Sequence, residues 1–355
     1  MKAGIVGVNG YTGQGLLQAL FYHPVFRVTL ATSRDGAGKK LSEVQPAYRG
    51  VAPYRDLVLS HPDSLEKMAA EDPENFPEVF LLCVSHGASM SLVPRILALG
   101  AKVVDLAGDF RLKDPALYPK WYKFRHQAPG LLAEAVYGLP ELYREDVKKT
   151  RLVANPGCYP TSIILAAAPL AANKLISPDF PLVCDSKSGV SGAGRRAEEA
   201  YSFCEVNDNF KAYKMVGHQH TPEAQAALEG LSGGPLKISF TPHLLPLSRG
   251  ILTTLYARPA EMLSEEEFGE LYSSFYRNEP FVRFRGVDGP VSLLDVRGTN
   301  FCDLTLRLDE AAGLIKVVSV IDNLARGAVT QAVVNMNLVC GLDETLGAPA
   351  APFRP

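Results

Sequence analysis

Short apolar runs alternating with stretches at helical spacing fill the first 150 residues. The runs "KAGIVGV", "FRVTLATS", "FPEVFLLCV" and "KVVDLA" have strand length, whereas "QGLLQALFYH" and "MSLVPRILALG" repeat apolar positions every three to four residues. Strands that alternate with helices predict a parallel sheet joined by crossover helices. From about Asn155 the pattern changes. A helix is predicted after Cys158, over "IILAAAPLAA". It is followed by "PLVCDSKSG", "LKISFTPHLLPL", "GILTTLYARP", "CDLTLRLD" and "IKVVSVID". These segments are longer and alternate more, which predicts a largely antiparallel sheet. Near the end, "NLARGAVTQAVVNMNLVCG" predicts an amphipathic helix capped at Gly341, and "GAPAAPFRP" reads as a loose or draped tail. The expected fold class is α/β: a Rossmann-type parallel sheet domain plus an α+β domain with a largely antiparallel sheet.

At 355 residues the chain exceeds one ordinary core, so two domains are expected. With 36 Lys+Arg against 38 Asp+Glu the formal charge is -2, which argues against a nucleic acid or an anionic membrane as partner. Any anion site must therefore be local. Six cysteines with no CxxC pair or regular spacing speak against a disulfide framework or a structural zinc site, and for reduced thiols inside the cell. The start "MKAGIVGVNGYTG" enters a strand without the basic head and apolar core of a signal peptide. No run approaches about 18 apolar residues. A cytoplasmic location is the expectation.

Local anion chemistry is written in "GVNGYTGQG", which follows the first strand and opens the first helix. Gly7, Gly10 and Gly13 permit a tight turn and let a pyrophosphate approach the backbone. The helix start at Tyr11 and Thr12 aims N–H groups and a positive dipole end at it. An NAD site would normally carry a carboxylate at the end of the second strand. Here the chain reads "LATSRDG", with Ser33 and Arg34 in that region and Asp35 adjoining. Serine and arginine suit a 2'-phosphate, so NADP(H) is the expected cofactor.

A second chemistry lies in "ANPGCYPTS". Gly157 before Cys158 and Pro160 after it predict a sharp strand-to-helix entry that exposes the sulfur. The helix N-terminus would favour the thiolate, and its N–H groups would stabilise an oxyanion. The other cysteines sit in apolar runs, where packing as small hydrophobes is the ordinary role. A base could come from His218 or His220 in "VGHQHTPEAQAAL", just before a helix with Thr221 as N-cap and Pro222 as first residue. His86 and His243 are weaker candidates. No third or fourth ligand accompanies the histidine pair, so no metal is expected.

The ordered segments "GVNGYTGQGLL", "DLAGDFRL", "YGLPELYRE", "ANPGCYPTS", "SGVSGAGR", "HQHTPE", "TPHLLPLSRGILTT" and "DNLARGAVTQAVVNMN" together resemble the N-acetyl-gamma-glutamyl-phosphate reductase family, within the aspartate-semialdehyde dehydrogenase superfamily. The resemblance covers nearly the whole chain. It implies NADPH-dependent reduction of a small acyl phosphate to an aldehyde in arginine biosynthesis, through a thioester on Cys158. "HQHTPE" is similar to the family's His-Arg-His-Thr-Pro-Glu, with Gln219 replacing the arginine. His220 is the expected acid/base and His218 the second choice. Arg111 resembles the superfamily's phosphate-binding arginine, and Arg195 and Arg249 are candidate carboxylate partners. Ser188, Gly189 and Gly192 resemble a loop facing substrate or cofactor, and Asn323 resembles the residue that holds the nicotinamide carboxamide. The implied organisation is a discontinuous NADP-binding domain, residues 1–154 with 323–355, and a catalytic and oligomerisation domain, residues 155–322. Homodimers or homotetramers are implied.

Three alternatives share parts of this pattern. A reductase of carrier-protein-linked 2-aminoadipate phosphate, from lysine biosynthesis, would have the same chemistry and a carrier protein as partner. Aspartate-semialdehyde dehydrogenase proper is disfavoured by "ANPGCYPT" and "HQHTPE". A non-catalytic NADP-binding regulator is disfavoured by the intact Cys158, His218 and His220.

Overall fold

A computed structural model describes residues 1–195 and 197–353; Arg196, Arg354 and Pro355, the last two at the end of the expected tail, lie outside them. The chain forms two compact units. One contains residues 1–156 and 329–348, the other 157–328 and the chain from Pro349. The division therefore falls at 156/157 and 328/329, against the expected 154/155 and 322/323. Asp322 and Asn323 explain the later return. Asp322 accepts backbone N–H groups from Leu324 and Ala325, and Asn323 bonds Gly250 and Ser191, so this stretch is tied into the second unit. The tail is tied there too, by Asn300 N–H to the Pro349 carbonyl and Phe353 N–H to the Arg297 carbonyl.

In the first unit, strands β1 (Lys2–Val6), β2 (Arg27–Thr32), β3 (Val79–Leu82), β4 (Lys102–Asp105), β5 (Val136–Tyr137) and β6 (Leu152–Ala154) form a sheet among the described residues. Its order is β2-β1-β3-β4-β6-β5 and every pairing is parallel. Because helices cover such a sheet, β3 is buried at all four positions, which explains its unbroken apolar run. β5 and β6, of two and three residues, are too short to leave a period in the sequence.

The helix Thr330–Val339 departs from its expected amphipathic form: all ten residues are buried. Its side-chain amide nitrogens find partners within the unit, while Gln331 Oε1 and Asn335 Oδ1 are buried without one. Gln331 and Asn335 donate to the Gly138 carbonyl at 2.9 and 2.8 Å, and Asn337 bonds His23 and the Leu346 carbonyl. Hydrogen-bonded amides need no water-facing side. The expected cap is present: Gly341 takes φ +74°, its N–H reaches the Leu338 carbonyl, and Leu342 N–H reaches Asn337.

The second unit carries β7 (Leu182–Gly189), β8 (Lys211–Ala212), β9 (Ile238–Leu245), β10 (Ile251–Ala257), β11 (Val282–Val287), β12 (Cys302–Asp309) and β13 (Leu314–Ile321). Their order is β11-β12-β13-β10-β7-β9-β8. β7–β9 and β11–β12 are parallel and the other four pairings antiparallel, so the sheet is mixed and largely antiparallel. The helix Cys158–Ala172 packs on β10 and β13 and is buried at every position from Tyr159 to Ala171. Ser162 pins it by bonding Thr253 of β10 at 2.9 Å and Ser319 of β13 at 3.0 Å. The thiol thus sits on the end of a rigid element. No helix of the described residues is long and apolar enough to cross a membrane.

Candidate active site

In the first unit the turn between β1 and the helix Tyr11–Phe21 is closed by backbone contacts. Gly7 has φ +92°, and a Cβ there would lie 2.4 Å from the Cys83 carbonyl oxygen. A Cβ on Gly13 would lie 2.4 Å from the Gly7 oxygen. Over Gly10, the N-cap, there is open space for at least 4 Å. No side chain caps this helix and its first turn holds no acidic residue, so the turn fits the pyrophosphate of a dinucleotide. Tyr11 is exposed and Thr12 half-buried.

Ser33 and Arg34 differ in availability. The Ser33 hydroxyl is buried and accepts N–H bonds from Asn9 at 2.8 Å and Gly36 at 3.0 Å, while Arg34 and Asp35 are exposed. Gln45 donates to the Val8 carbonyl at 2.8 Å and holds the glycine turn from outside. Asn9 and Gln45 escaped the sequence reading. Asn9 lies inside the glycine motif and could have been marked, whereas Gln45 carries no local signal.

"DLAGDFRL" builds the carboxyl end of β4. Asp109 caps the helix Ser89–Ala98 by accepting N–H bonds from Gly87, Ser89 and Met90 at 2.7, 3.0 and 3.2 Å. Burial, and then the charge of Asp109, push the Asp105 carboxyl well above the usual carboxylate range; Ser89 donates to it at 2.7 Å. Arg111 is nearly buried and brackets the ends of β4 and β6, donating at 2.8 Å to the carbonyls of both Leu106 and Asn155. His86 accepts the Gly108 N–H at 2.8 Å, a structural bond.

In the second unit Cys158 is the first residue of its helix, half-buried, with Gly157 as an extended N-cap. Pro160 is the third residue and has no N–H, so the first turn offers the N–H groups of Cys158 and Tyr159. Cys184 and Cys302 are fully buried, and burial pushes the Cys184 thiol up, as expected of packing cysteines. Gly327 faces the thiol residue: a Cβ there would lie 2.7 Å from Cys158 Cβ and 3.1 Å from its Cα. Glu223, buried, accepts the Gly157 N–H on Oε1 at 2.7 Å. The Tyr159 and Tyr213 hydroxyls meet at 2.9 Å.

The two histidines are now distinguishable. His218 is packed among Tyr159, Tyr213 and Phe240, with ring centroids 5.7, 6.0 and 5.2 Å away, and its Nδ1 accepts the His220 N–H at 3.1 Å. Burial, helped by the charge of Lys214, lowers its pKa to about 3. His220 is the N-cap of the helix Thr221–Ser232, one position ahead of the expected Thr221, and its ring lies 6.0 Å from that of Tyr159. Between pH 6.5 and about 3 the unfolded chain binds a proton at His218 that the folded chain refuses. Stability is therefore expected to fall as pH drops through that window. Urea midpoints of His218→Asn should lack that part of the slope.

β7 runs into the loop with Ser188, Gly189 and Gly192. Gly189 N–H bonds the Gly250 carbonyl at 2.9 Å, and Val190 N–H bonds that of Leu247 at 2.8 Å. Asn323, buried, uses its oxygen to accept the Gly250 N–H at 2.7 Å and its nitrogen to donate to Ser191 Oγ at 3.0 Å. Its amide thus braces this loop. Arg249 is partly exposed and 3.4 Å from the buried Asp322, and Arg195 is exposed. His243 lies 3.0 Å from Asp185 on β7. No group of three or more His, Cys, Asp or Glu able to hold a metal occurs among the described residues.

Sequence comparisons extend over the whole chain. The domain family described as "Semialdehyde dehydrogenase, NAD binding domain" matches residues 2–150, and "Semialdehyde dehydrogenase, dimerisation domain" matches residues 158–323. The N-acetyl-gamma-glutamyl-phosphate reductase of Syntrophobacter fumaroxidans is 48% identical over 355 residues, all of both chains. The protein of that name from Methanococcus maripaludis is 46% identical over 99% of this chain and 98% of its own. Among solved structures, aspartate semialdehyde dehydrogenase II of Vibrio cholerae shares the fold at a TM-score of 0.69, with 17% identity over 96% of this chain and 98% of that one.

Proposed function

The chain belongs to the N-acetyl-gamma-glutamyl-phosphate reductase family, and from that premise we propose which of its residues carry the reaction. The protein reduces N-acetyl-gamma-glutamyl phosphate to N-acetylglutamate 5-semialdehyde and releases phosphate, an oxidoreductase step of arginine biosynthesis. The carrier-linked and aspartyl readings are not favoured, since full-length relatives at 44 to 48% identity carry the acetylglutamyl name.

Cys158 is the nucleophile. Its thiolate attacks the acyl carbon, the carbon–oxygen bond to phosphorus breaks, and inorganic phosphate leaves with the electron pair. His220 takes the thiol proton. His218, lowered to about 3, stays neutral and orients His220 through its backbone. The N–H groups of Cys158 and Tyr159 hold the oxyanion. When bound, a reduced nicotinamide dinucleotide would supply the hydride that takes the thioester to the aldehyde oxidation level. Collapse then frees the aldehyde, and His220 returns its proton to the sulfur.

The bare helix start at Gly10–Gly13 would hold the pyrophosphate of the dinucleotide. Exposed Arg34 supports NADPH over NADH. Arg111 acts through backbone, shaping the strand ends, and Arg249 and Arg195 are the partly exposed and exposed cations for substrate anions. Ser188 and Gly189 line the loop that Asn323 braces. A homo-oligomer built on the second unit is supported by its match to a dimerisation domain, and a cytoplasmic location by the biosynthetic role.

One observation carries the reading: a half-buried thiol at the first position of an otherwise buried helix, with a histidine pair on the aromatic ring next to it. The test runs the reaction backwards. N-acetylglutamate semialdehyde should reduce NADP only when phosphate is present, and NAD at least about tenfold less well by kcat/KM. Reduction that ignores phosphate would count against an acyl-phosphate enzyme.

A further inference from the structure

Asp322 is a fully buried carboxylate between the end of β13 and the turn that carries Gly327. Its Oδ1 accepts the N–H groups of Leu324 and Ala325 at 2.8 and 2.9 Å, and its Oδ2 accepts that of Gly298 at 2.8 Å. Oδ2 also faces Arg249 Nη1 at 3.4 Å, in an ion pair with one partner inside and the other partly exposed. Three short bonds to backbone set the place of the carboxylate, so the arginine is not what holds it. The contact acts the other way. It fixes one arm of a long side chain that would otherwise sample many rotamers.

The backbone of Arg249 is clamped as well. Asn323 accepts the Gly250 N–H at 2.7 Å, Gly189 N–H donates to the Gly250 carbonyl at 2.9 Å, and a Cβ on Gly189 would lie 2.8 Å from Arg249 N. Residues 322 and 323 thus hold residues 249 and 250. The Asp322 carbonyl accepts the Gly327 N–H at 2.9 Å, and Gly327 faces Cys158, so the cation is tied to the turn that walls the thiol. All of these residues belong to the second unit. We propose that Asp322 is a positioning residue that presets the Arg249 guanidinium to receive the carboxylate of the substrate. The inference deepens the proposed function and rests on it. A planar fork meets a carboxylate in two parallel bonds, and the gain is largest when its plane is set before binding.

The test uses the full-length protein in the reverse direction, where phosphate and the carboxylate-bearing aldehyde are separate reactants. Asp322→Asn keeps an acceptor for Leu324 and Ala325 and removes the charge. It should raise the KM for N-acetylglutamate semialdehyde about tenfold, with kcat and the KM values for phosphate and NADP unchanged. With 4-acetamidobutanal, the same aldehyde without its carboxylate, variant and wild type should be equally poor. Arg249→Lys should raise the same KM, because lysine has no fork. The double variant should lose no more than the worse single one, since both changes break one contact. Asp322→Ser, whose hydroxyl can cap the turn but does not reach Arg249, decides if Asp322→Asn does not fold by circular dichroism. A wild-type KM in the folded variant, or an equal loss with both aldehydes, overturns the proposal. So does a rise confined to phosphate, or losses that add in the double variant. Absence of phosphate-dependent NADP reduction by the wild-type protein would instead overturn the proposed function.

Discussion

Cys158→Ser is expected to lose about four powers of ten in turnover while keeping its fold and its NADPH affinity. Serine is nearly isosteric, and the position is half-buried at a helix end, so no cavity opens. What disappears is nucleophilicity: a hydroxyl at this pH is far less ionised than a thiol, and neither the helix dipole nor His220 makes up the difference. The same chemistry predicts an acyl adduct. Wild-type protein mixed with the acyl phosphate and no nucleotide should gain one acetylglutamyl group on Cys158 by mass spectrometry. A serine variant that retains more than about a hundredth of the activity would argue for a route without a covalent intermediate.

Gly327→Ala carries the second large effect. The new methyl would sit 2.7 Å from Cys158 Cβ and 3.1 Å from its Cα, closer than carbon atoms tolerate, and neither atom belongs to a flexible side-chain tip. The helix start must shift. Overpacking of this kind costs about 1–3 kcal/mol of stability. A displaced nucleophile should lower kcat about a hundredfold, with little change in the KM for NADPH. Thermal melting and steady-state kinetics on the same preparation check both. Unchanged kcat would mean that the thiol position has slack.

Legibility of the fold followed the range of the interactions. Strands such as β3 and β10 and the helices at Tyr11 and Cys158 were readable because period and caps lie within one segment. β5, β6, β8 and β11 were missed. Three of these have two or three residues, and β11 alternates weakly between half-buried and exposed positions. The helix Thr330–Val339 misled because its asparagines look water-facing in sequence, yet each is buried against a partner in a remote segment. In the site, Cys158 and the Gly7–Gly13 turn were visible for the same local reason. Glu223 was not singled out, since its role depends on a bond across 66 residues.

The sequence alone determined the two-domain α/β plan, the glycine turn, the cysteine at a helix start and the histidine pair, because each is a local pattern of backbone freedom, period or neighbouring residue types. Tertiary structure decided which histidine is silenced, that Arg111 and Asn323 hold backbone and loop, and that Glu223 and Gly327 bear on the thiol. Those assignments depend on burial and on hydrogen bonds between residues far apart along the chain, which only packing brings together.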